Sequence, residues 1–229
     1  MRTRESGFSL LELAVAMFIL TLLLGSILVP LATQVEQRQI TETQRIMDQV
    51  RDALLGHAIA YGYLPCPDTN NDGVENVTGN QCTSFSANIA HGNLPWQTLG
   101  MGNADAWGNR FRYAVREEYA RRSSFTLGTT VANLRVCESA ACTSDLTSSA
   151  VAVIMSHGKN GYGGTNSASG TVYPAPTGND ELENTDADRD FVSRVATASG
   201  VAAGEFDDMV SWLPLYILFN RMVSAGRLP

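Results

Sequence analysis

The chain has 229 residues, of which 44% are hydrophobic and 17% charged, with a formal net charge of −7. This length allows one or two domains with a buried core. The balance of 23 Asp and Glu against 16 Lys and Arg argues against a sequence-independent nucleic-acid binder, because such proteins neutralise phosphates with clustered cations. We therefore expect no nucleic acid among the partners.

Residues 13–32 form a run of twenty without a charge, LAVAMFILTLLLGSILVPLA. A helix of that length rises about 30 Å and spans the hydrocarbon core of a bilayer. A buried core helix is one alternative, but apolar residues surround the helical wheel and leave no polar face for water. A secretory signal peptide is another, but the run is long and no A-x-A-like site follows it. Arg2 and Arg4 precede the run, which predicts a cytoplasmic N-terminus and a translocated remainder.

Glu12 lies at the edge of this run, where a carboxylate is costly unless it reaches the headgroups or pairs with a cation. Residues 7–13 read G-F-S-L-L-E-L behind a short basic leader. This pattern closely resembles the processing site of type IV prepilins and type II secretion pseudopilins. The resemblance implies that a prepilin peptidase cuts after Gly7 and N-methylates Phe8. It also implies that Glu12 pairs with the new α-amine of a neighbouring subunit during assembly.

The segment after residue 32 is polar but keeps a helical period as far as residue 63. One stripe of this segment is apolar and should pack against another part of the chain: Met47, Val50, Leu54, Ala58 and Tyr61. Gly62 and the prolines at 65 and 67 end the helix. We therefore expect four parts: a leader (1–7), a transmembrane and polymerisation helix (8–32), a stalk helix (33–64) and a globular head (65–229).

The head contains four segments that predict strands, at 111–116, 133–137, 151–156 and 209–213. Pro214 opens a last helix that stops at Gly226. The fold class is therefore α+β. Taken with the resemblance, it is pilin-like, with a long N-terminal helix packed on a small antiparallel β-sheet head with long loops.

Residues 105–113 read D-A-W-G-N-R-F-R-Y. They resemble the D-x-W-G-N-x-aromatic-x-Tyr stretch of the major pseudopilin of type II secretion, which leads from a turn into the first strand of its sheet. The physical pattern agrees, because Gly108 and Asn109 permit a tight turn and Trp107 supplies a large apolar body.

The four cysteines, Cys66, Cys82, Cys137 and Cys142, all follow the apolar run, on the translocated side where disulfides form. Three pairings are open, and the nearest-neighbour pairing closes two loops. A zinc site is the alternative, but neither pair has C-x2-C spacing and no histidine pair accompanies them.

Two acidic segments suggest calcium. Residues 68–73 read D-T-N-N-D-G, the start of a calcium loop, with candidate ligands Asp68, Asn70, Asp72 and Glu75. Gly79 stands where an EF-hand needs a glutamate, so an Asx-rich turn is the alternative.

The second acidic segment carries six carboxylates in residues 180–190, against the single Arg189. It resembles the C-terminal region of the major pseudopilin, whose loop binds calcium, and Asp186 and Asp188 are the candidate ligands. A solvated acidic loop is the alternative.

No nucleophile elbow, zinc helix or P-loop gives a role to the three histidines or to Lys159, so we expect no catalytic activity. We expect a pseudopilin of a type II secretion system, held in the inner membrane with a periplasmic head. Its partners would be other pilin-like subunits, the prepilin peptidase and an inner-membrane assembly platform. A type IV pilus pilin and a non-polymerising, calcium-dependent binding head on a membrane anchor are the alternatives.

Overall fold

A computed structural model describes residues 9–83, 85–123, 125–201 and 204–228, without the side chains at 24 and 26–30. The chain divides into two compact units, with the division between Thr41 and Glu42. The predicted leader lies outside the described residues. The predicted boundaries at residues 32 and 64 stay predictions.

Helix α1 runs from Leu10 to Tyr61 and therefore includes the predicted membrane and stalk segments. In the first unit, large apolar side chains such as Leu11, Phe18 and Leu22 are exposed. Within the described residues, no helix is long and apolar enough to cross a membrane. Part of the predicted span falls on side chains that the structure does not describe.

Helix α1 ends at Tyr61, directly before Gly62, one of the residues that the sequence predicts to end it. Gly62 adopts a φ of +89°, a conformation that glycine takes without strain, and its N–H donates to the Ala58 carbonyl at 2.8 Å. The Arg227 guanidinium donates to the carbonyls of Ile59 and Ala60. A cation at this end satisfies carbonyls that the helix leaves without partners.

In the second unit, the predicted stripe of α1 is buried. Met47, Val50, Leu54 and Ala58 are at most 3% exposed. The prediction is wrong for Tyr61, which is 63% exposed because it lies in the last turn, where its ring contacts His57 instead of the core.

The head forms eight strands and four further helices in the described part of the chain. The strands are β1 (Val77–Thr78), β2 (Gln81–Cys82), β3 (Ile89–Asn93), β4 (Arg112–Arg116), β5 (Leu134–Cys137), β6 (Asp145–Ser156), β7 (Asp190–Val192) and β8 (Met209–Pro214). The helices are α2 (Trp96–Leu99), α3 (Glu117–Ala120), α4 (Asn179–Glu183) and α5 (Leu215–Ser224). The α+β class is therefore confirmed.

The main sheet runs in the order β3-β4-β6-β5-β7, with β8 paired to β6, while β1 and β2 form a separate hairpin. The prediction of an antiparallel sheet is wrong at one edge, because β5 and β7 pair in parallel. The long connection between them gives the chain room for the crossover that parallel strands require. The sheet is therefore mixed.

Alternate residues of β4 enter different cores on the two faces of the sheet. Tyr113 and Val115 join the larger core, which includes Leu54 of α1, whereas Ala114 joins a smaller core with Phe191 of β7. This is the period of two that a strand imposes on its side chains. The Tyr113 hydroxyl is satisfied inside the core by the Pro65 carbonyl at 3.2 Å.

The predicted turn before β4 is present and is organised by one carboxylate. Asp105 accepts the N–H groups of Trp107 and Asn109 at 2.9 and 2.8 Å and the Ser156 hydroxyl at 2.6 Å. Gly108 has a φ of +86°, which explains the glycine at this position. The turn is therefore fixed to the end of β6.

The last predicted helix is confirmed as α5, with Pro214 at its N-cap. Leu215, Leu218 and Met222 are buried at the three- and four-residue steps of one helix face. This face joins the larger core.

Candidate functional site

The first described residues of the chain form a reciprocal helix cap. The Ser9 N–H donates to the Glu12 carboxylate at 3.0 Å, and the Glu12 N–H donates to the Ser9 hydroxyl at 3.2 Å. This is a capping box, which satisfies two amides at the start of α1. It places Glu12 at the positive end of the helix dipole, next to the exposed apolar side chains of Leu10, Leu11 and Leu13.

The Asp68 carboxylate is buried and already engaged. It accepts the N–H groups of Asn70, Asn71 and Gly73 at 2.7 to 3.0 Å, and its Oδ2 lies 3.7 Å from Arg110. These are the bonds of an Asx-rich turn, in which the side chain bonds the backbone of its own loop.

The other candidate ligands of this loop also have partners. The Asn70 amide donates to Asp72 at 2.9 Å, while Glu75 accepts the Cys66 N–H at 3.1 Å and pairs with Arg122 at 2.8 Å. In the part of the chain that the structure describes, Asp72 and Glu75 belong to no close group of three carboxylates. Calcium in this loop stays a prediction, and its supporting pattern is weak.

The second acidic segment does bring carboxylates together. Ligand oxygens of Glu183, Asp188 and Asp190 lie within 4.8 Å of one another. Asp188 is one of the two predicted ligands. The other, Asp186, is outside this group, and its backbone carbonyl accepts a hydrogen bond from Arg112.

Burial, followed by the negative charges of Asp186, Asp188 and Asp190, raises the pKa of Glu183 to about 7. Arg135 compensates part of this charge, because its guanidinium donates to the Asp190 carboxylate at 2.7 Å. The group is therefore partly neutralised by the protein itself.

A second close carboxylate group lies at the junction of α4 and β8. Ligand oxygens of Glu181, Asp207 and Asp208 lie within 4.8 Å of one another, and Asp208 is 6% exposed. Asn160 and Asn184 hold the group in place, because Asn160 donates to Glu181 at 3.1 Å and Asn184 to Asp208 at 2.8 Å. The buried Oδ1 of Asp207 has no hydrogen-bond partner.

Each carboxyl of this second group has a raised pKa. Burial is the largest cause in all three, and it raises the pKa of Asp207 to about 6 and that of Asp208 well above its usual range. Glu181 also raises the pKa of both aspartates. Three carboxyl groups with little positive charge close to them suit a hard divalent cation, which prefers carboxylate and carbonyl oxygens as ligands.

The structure has the nearest-neighbour disulfides, Cys66 with Cys82 and Cys137 with Cys142. Asp145 lies 3.6 Å from both sulfurs of the second pair. Because the sulfurs are bonded to each other, they are not thiolates and do not offer zinc its usual ligands.

Comparison with protein families assigns the N-terminal segment. Residues 2–28 match the family model of the prokaryotic N-terminal methylation motif. The chain carries the type IV pilin and pseudopilin signature. No curated protein and no solved structure gives a significant match to the chain.

The pilin signature covers the three residues predicted for processing and assembly, Gly7, Phe8 and Glu12. It implies processing by a prepilin peptidase and assembly with other pilin subunits. Gly7 and Phe8 lie outside the described residues, so their roles stay predictions, while Glu12 lies in the capping box of α1.

Sequence reasoning missed two parts of the site. It overlooked Ser9, although S-x-x-E before an apolar run is a recognisable capping pattern. It also overlooked Asp207 and Asp208, which are distant from the acidic segment along the chain and join Glu181 only in the fold. Two consecutive acidic residues directly before a strand were the available signal.

Proposed function

We propose that the chain is a structural subunit of a bacterial pilin-like filament, specifically a pseudopilin of a type II secretion system. The observation that carries the proposal is the methylation motif at residues 2–28. The exposed apolar side chains between Leu10 and Leu23 support it, because such a surface needs lipid or neighbouring helices to cover it. The function is mechanical, with no catalytic step.

In this proposal, the precursor is first held in the inner membrane. Arg2 and Arg4 keep the N-terminus in the cytoplasm, and the head is periplasmic, where the two disulfides are stable. The prepilin peptidase cuts after Gly7 and methylates Phe8. An assembly platform then inserts the subunit, which has a pilin-like fold, into the filament.

Glu12 performs the central step of assembly. In the precursor its carboxylate accepts the Ser9 amide. In the filament it pairs with the α-amine of a neighbouring Phe8, which neutralises both charges in a setting with few other partners. Without this pairing the Glu12 carboxylate stays unpaired in an apolar environment, which disfavours incorporation of the subunit into the filament.

The turn at Asp105 favours the secretion pseudopilin over a type IV pilus subunit. Its sequence resembles that of the major pseudopilin, and it leads into β4. Deleting the gene should therefore abolish export of secreted enzymes and leave surface pili intact. The reverse result would assign the chain to a pilus.

We also propose that the head binds calcium at the Glu181, Asp207 and Asp208 group. The unpartnered Asp207 oxygen and the raised pKa values of all three carboxyls support this placement. The Glu183, Asp188 and Asp190 group is the second candidate. When bound, calcium would neutralise the carboxylates and hold α4 to the start of β8.

The variant Glu12→Gln tests the filament proposal. The glutamine oxygen still accepts the Ser9 N–H, so the helix start is kept while the negative charge is lost. We expect processing to continue and in vivo cross-linked oligomers to fall at least tenfold. Glu36→Gln removes a carboxylate further along the same helix and should assemble as wild type. Normal assembly of Glu12→Gln would contradict the proposal.

A further inference from the structure

A polar cavity of about 350 Å³ lies in the head beside β3 and β4. Its wall includes three nitrogen-bearing side chains that the filament does not use: His91 from β3, Arg112 from β4 and His157, which follows β6. The amides of Asn71 and Asn93 complete one side. The lining is therefore rich in hydrogen-bond donors.

Arg112 is partly buried and lacks a direct anionic partner. One of its terminal nitrogens donates to the backbone carbonyl of Asp186, and its Nε has no hydrogen bond. Among the described residues, no carboxylate lies within ion-pair distance of it. Burial lowers the pKa of Arg112, which is the sign of a cation held away from water without full compensation.

Both histidines have ring nitrogens without a hydrogen-bond partner. Burial, followed by the positive charge of Arg112, lowers the pKa of His91 to about 4 and that of His157 to about 3. His157 is 2% exposed, and its Nδ1 has no hydrogen bond, because the nearest oxygen of Asp208 is 3.9 Å away. Neither ring nitrogen of His91 has a well-formed hydrogen bond, although the Asp188 backbone interacts with the ring.

Glycines let the backbone close around the cavity. A Cβ on Gly164 would lie 2.8 Å from the His157 ring, and a Cβ on Gly92 would lie 2.6 Å from the Asp68 carbonyl. Both contacts are closer than real Cβ atoms allow. The wall therefore has no room for larger residues, and the polar side chains determine what the cavity accepts.

The acidic groups nearby do not neutralise the cavity. Asp68 lines it, but its oxygens are occupied by three loop amides and Arg110. Asp208 is buried and acts on Arg112 only through space, because its carboxylate lies beyond ion-pair distance of the guanidinium. The Asp186 carboxylate interacts with Arg112 only at a distance.

We propose that this cavity binds a small oxyanion, held by the Arg112 guanidinium and by a ring N–H of His91, whose two ring nitrogens both lack hydrogen bonds. Guanidinium groups bind carboxylates and tetrahedral oxyanions with paired hydrogen bonds, and a neutral imidazole supplies one further donor. The bound anion compensates the charge of the guanidinium. This role is independent of filament assembly.

The test uses the full-length wild-type chain in detergent, because its only three histidines give separate ring signals in NMR. Sodium sulfate, sodium acetate and sodium chloride are titrated at matched ionic strength. Sulfate or acetate should shift the His91 and His157 signals saturably and leave His57, on α1, unchanged. A stronger response to sulfate indicates a tetrahedral ligand, and a stronger response to acetate indicates a carboxylate. Equal effects of all three salts, or no shift, would overturn the proposal.

A matched pair of variants supplies the second measurement. Arg112→Gln removes the cation of the cavity, and Arg45→Gln removes an exposed cation of α1 outside it. Calorimetric affinity for the stronger anion should fall at least tenfold in Arg112→Gln and stay within twofold in Arg45→Gln. An unchanged affinity in folded Arg112→Gln would overturn the proposal, and the wild-type NMR titration decides the matter if that variant does not fold.

Discussion

Single residues determine both proposed functions of the chain. Glu12 has one acceptor group and two successive partners, the Ser9 amide in the precursor and a neighbour's α-amine in the filament. Its capping bond is local and readable from sequence, whereas its assembly role rests on the methylation motif. The carboxylates of the head differ, because no local pattern reveals that Glu181 and Asp207 lie together.

The raised pKa of Asp207 predicts a pH dependence of stability. Its carboxyl holds a proton more tightly in the folded state than in the unfolded state, so its contribution improves as the pH falls through about 6. His91 and His157 act in the opposite direction, since their pKa values are lowered by folding. The comparison must therefore be between wild type and Asp207→Asn.

In chelator, the melting midpoint of wild type relative to Asp207→Asn should rise between pH 7 and pH 5. Calcium should raise the wild-type midpoint at pH 7 and have little effect on the variant, because ligands that bind only the folded state stabilise it. Asp48→Asn, an exposed carboxylate on α1, is the control and should respond to calcium as wild type does. A wild-type melting midpoint that does not change when calcium is added would contradict the proposed metal site.

Among the elements, α1 carries two kinds of apolar surface. In the second unit, Leu54 is fully buried in the core, whereas Leu20 in the first unit is 55% exposed. Burial in the core stabilises the head, and exposed apolar area is free to bind neighbours. Substitution of each leucine therefore distinguishes the contribution of α1 to folding from its contribution to assembly.

Leu54→Ala should lower the free energy of unfolding of the head by about 2–5 kcal/mol, because it leaves a cavity in the core. Leu20→Ala should change it by less than about 0.5 kcal/mol and reduce the yield of cross-linked oligomers instead. Denaturant unfolding followed by tryptophan fluorescence measures the first effect, since all three tryptophans lie in the second unit. Equal losses of stability in both variants would contradict this division.

The elements that sequence predicts are those with strong local patterns. The four predicted strands, the end of α1 and helix α5 each have an apolar period or a glycine or proline boundary. Strand β6 begins at Asp145, earlier than predicted. The prediction missed its first residues because they are polar and exposed and therefore give no apolar run. The parallel pairing of β5 with β7 depends on residues distant in sequence, and no local pattern indicates it.

At the scale of the whole molecule, the N-terminal motif and the head supply different kinds of information. The motif provides the pilin and pseudopilin signature within residues 2–28. The anion cavity and the carboxylate groups depend on the folded head, because their members come from strands and loops throughout it. Sequence therefore predicts the family and the fold class, and the geometry adds the candidate binding sites.

The central claim is that this chain is a processed filament subunit, and the intact mass of subunits isolated from assembled filaments tests it most directly. The account predicts a chain that lacks residues 1–7, begins at Phe8 and carries one added methyl group. Gly7→Ala should block cleavage and leave no assembled subunits to isolate. Assembled subunits that retain the leader, in wild type or in Gly7→Ala, would contradict the account.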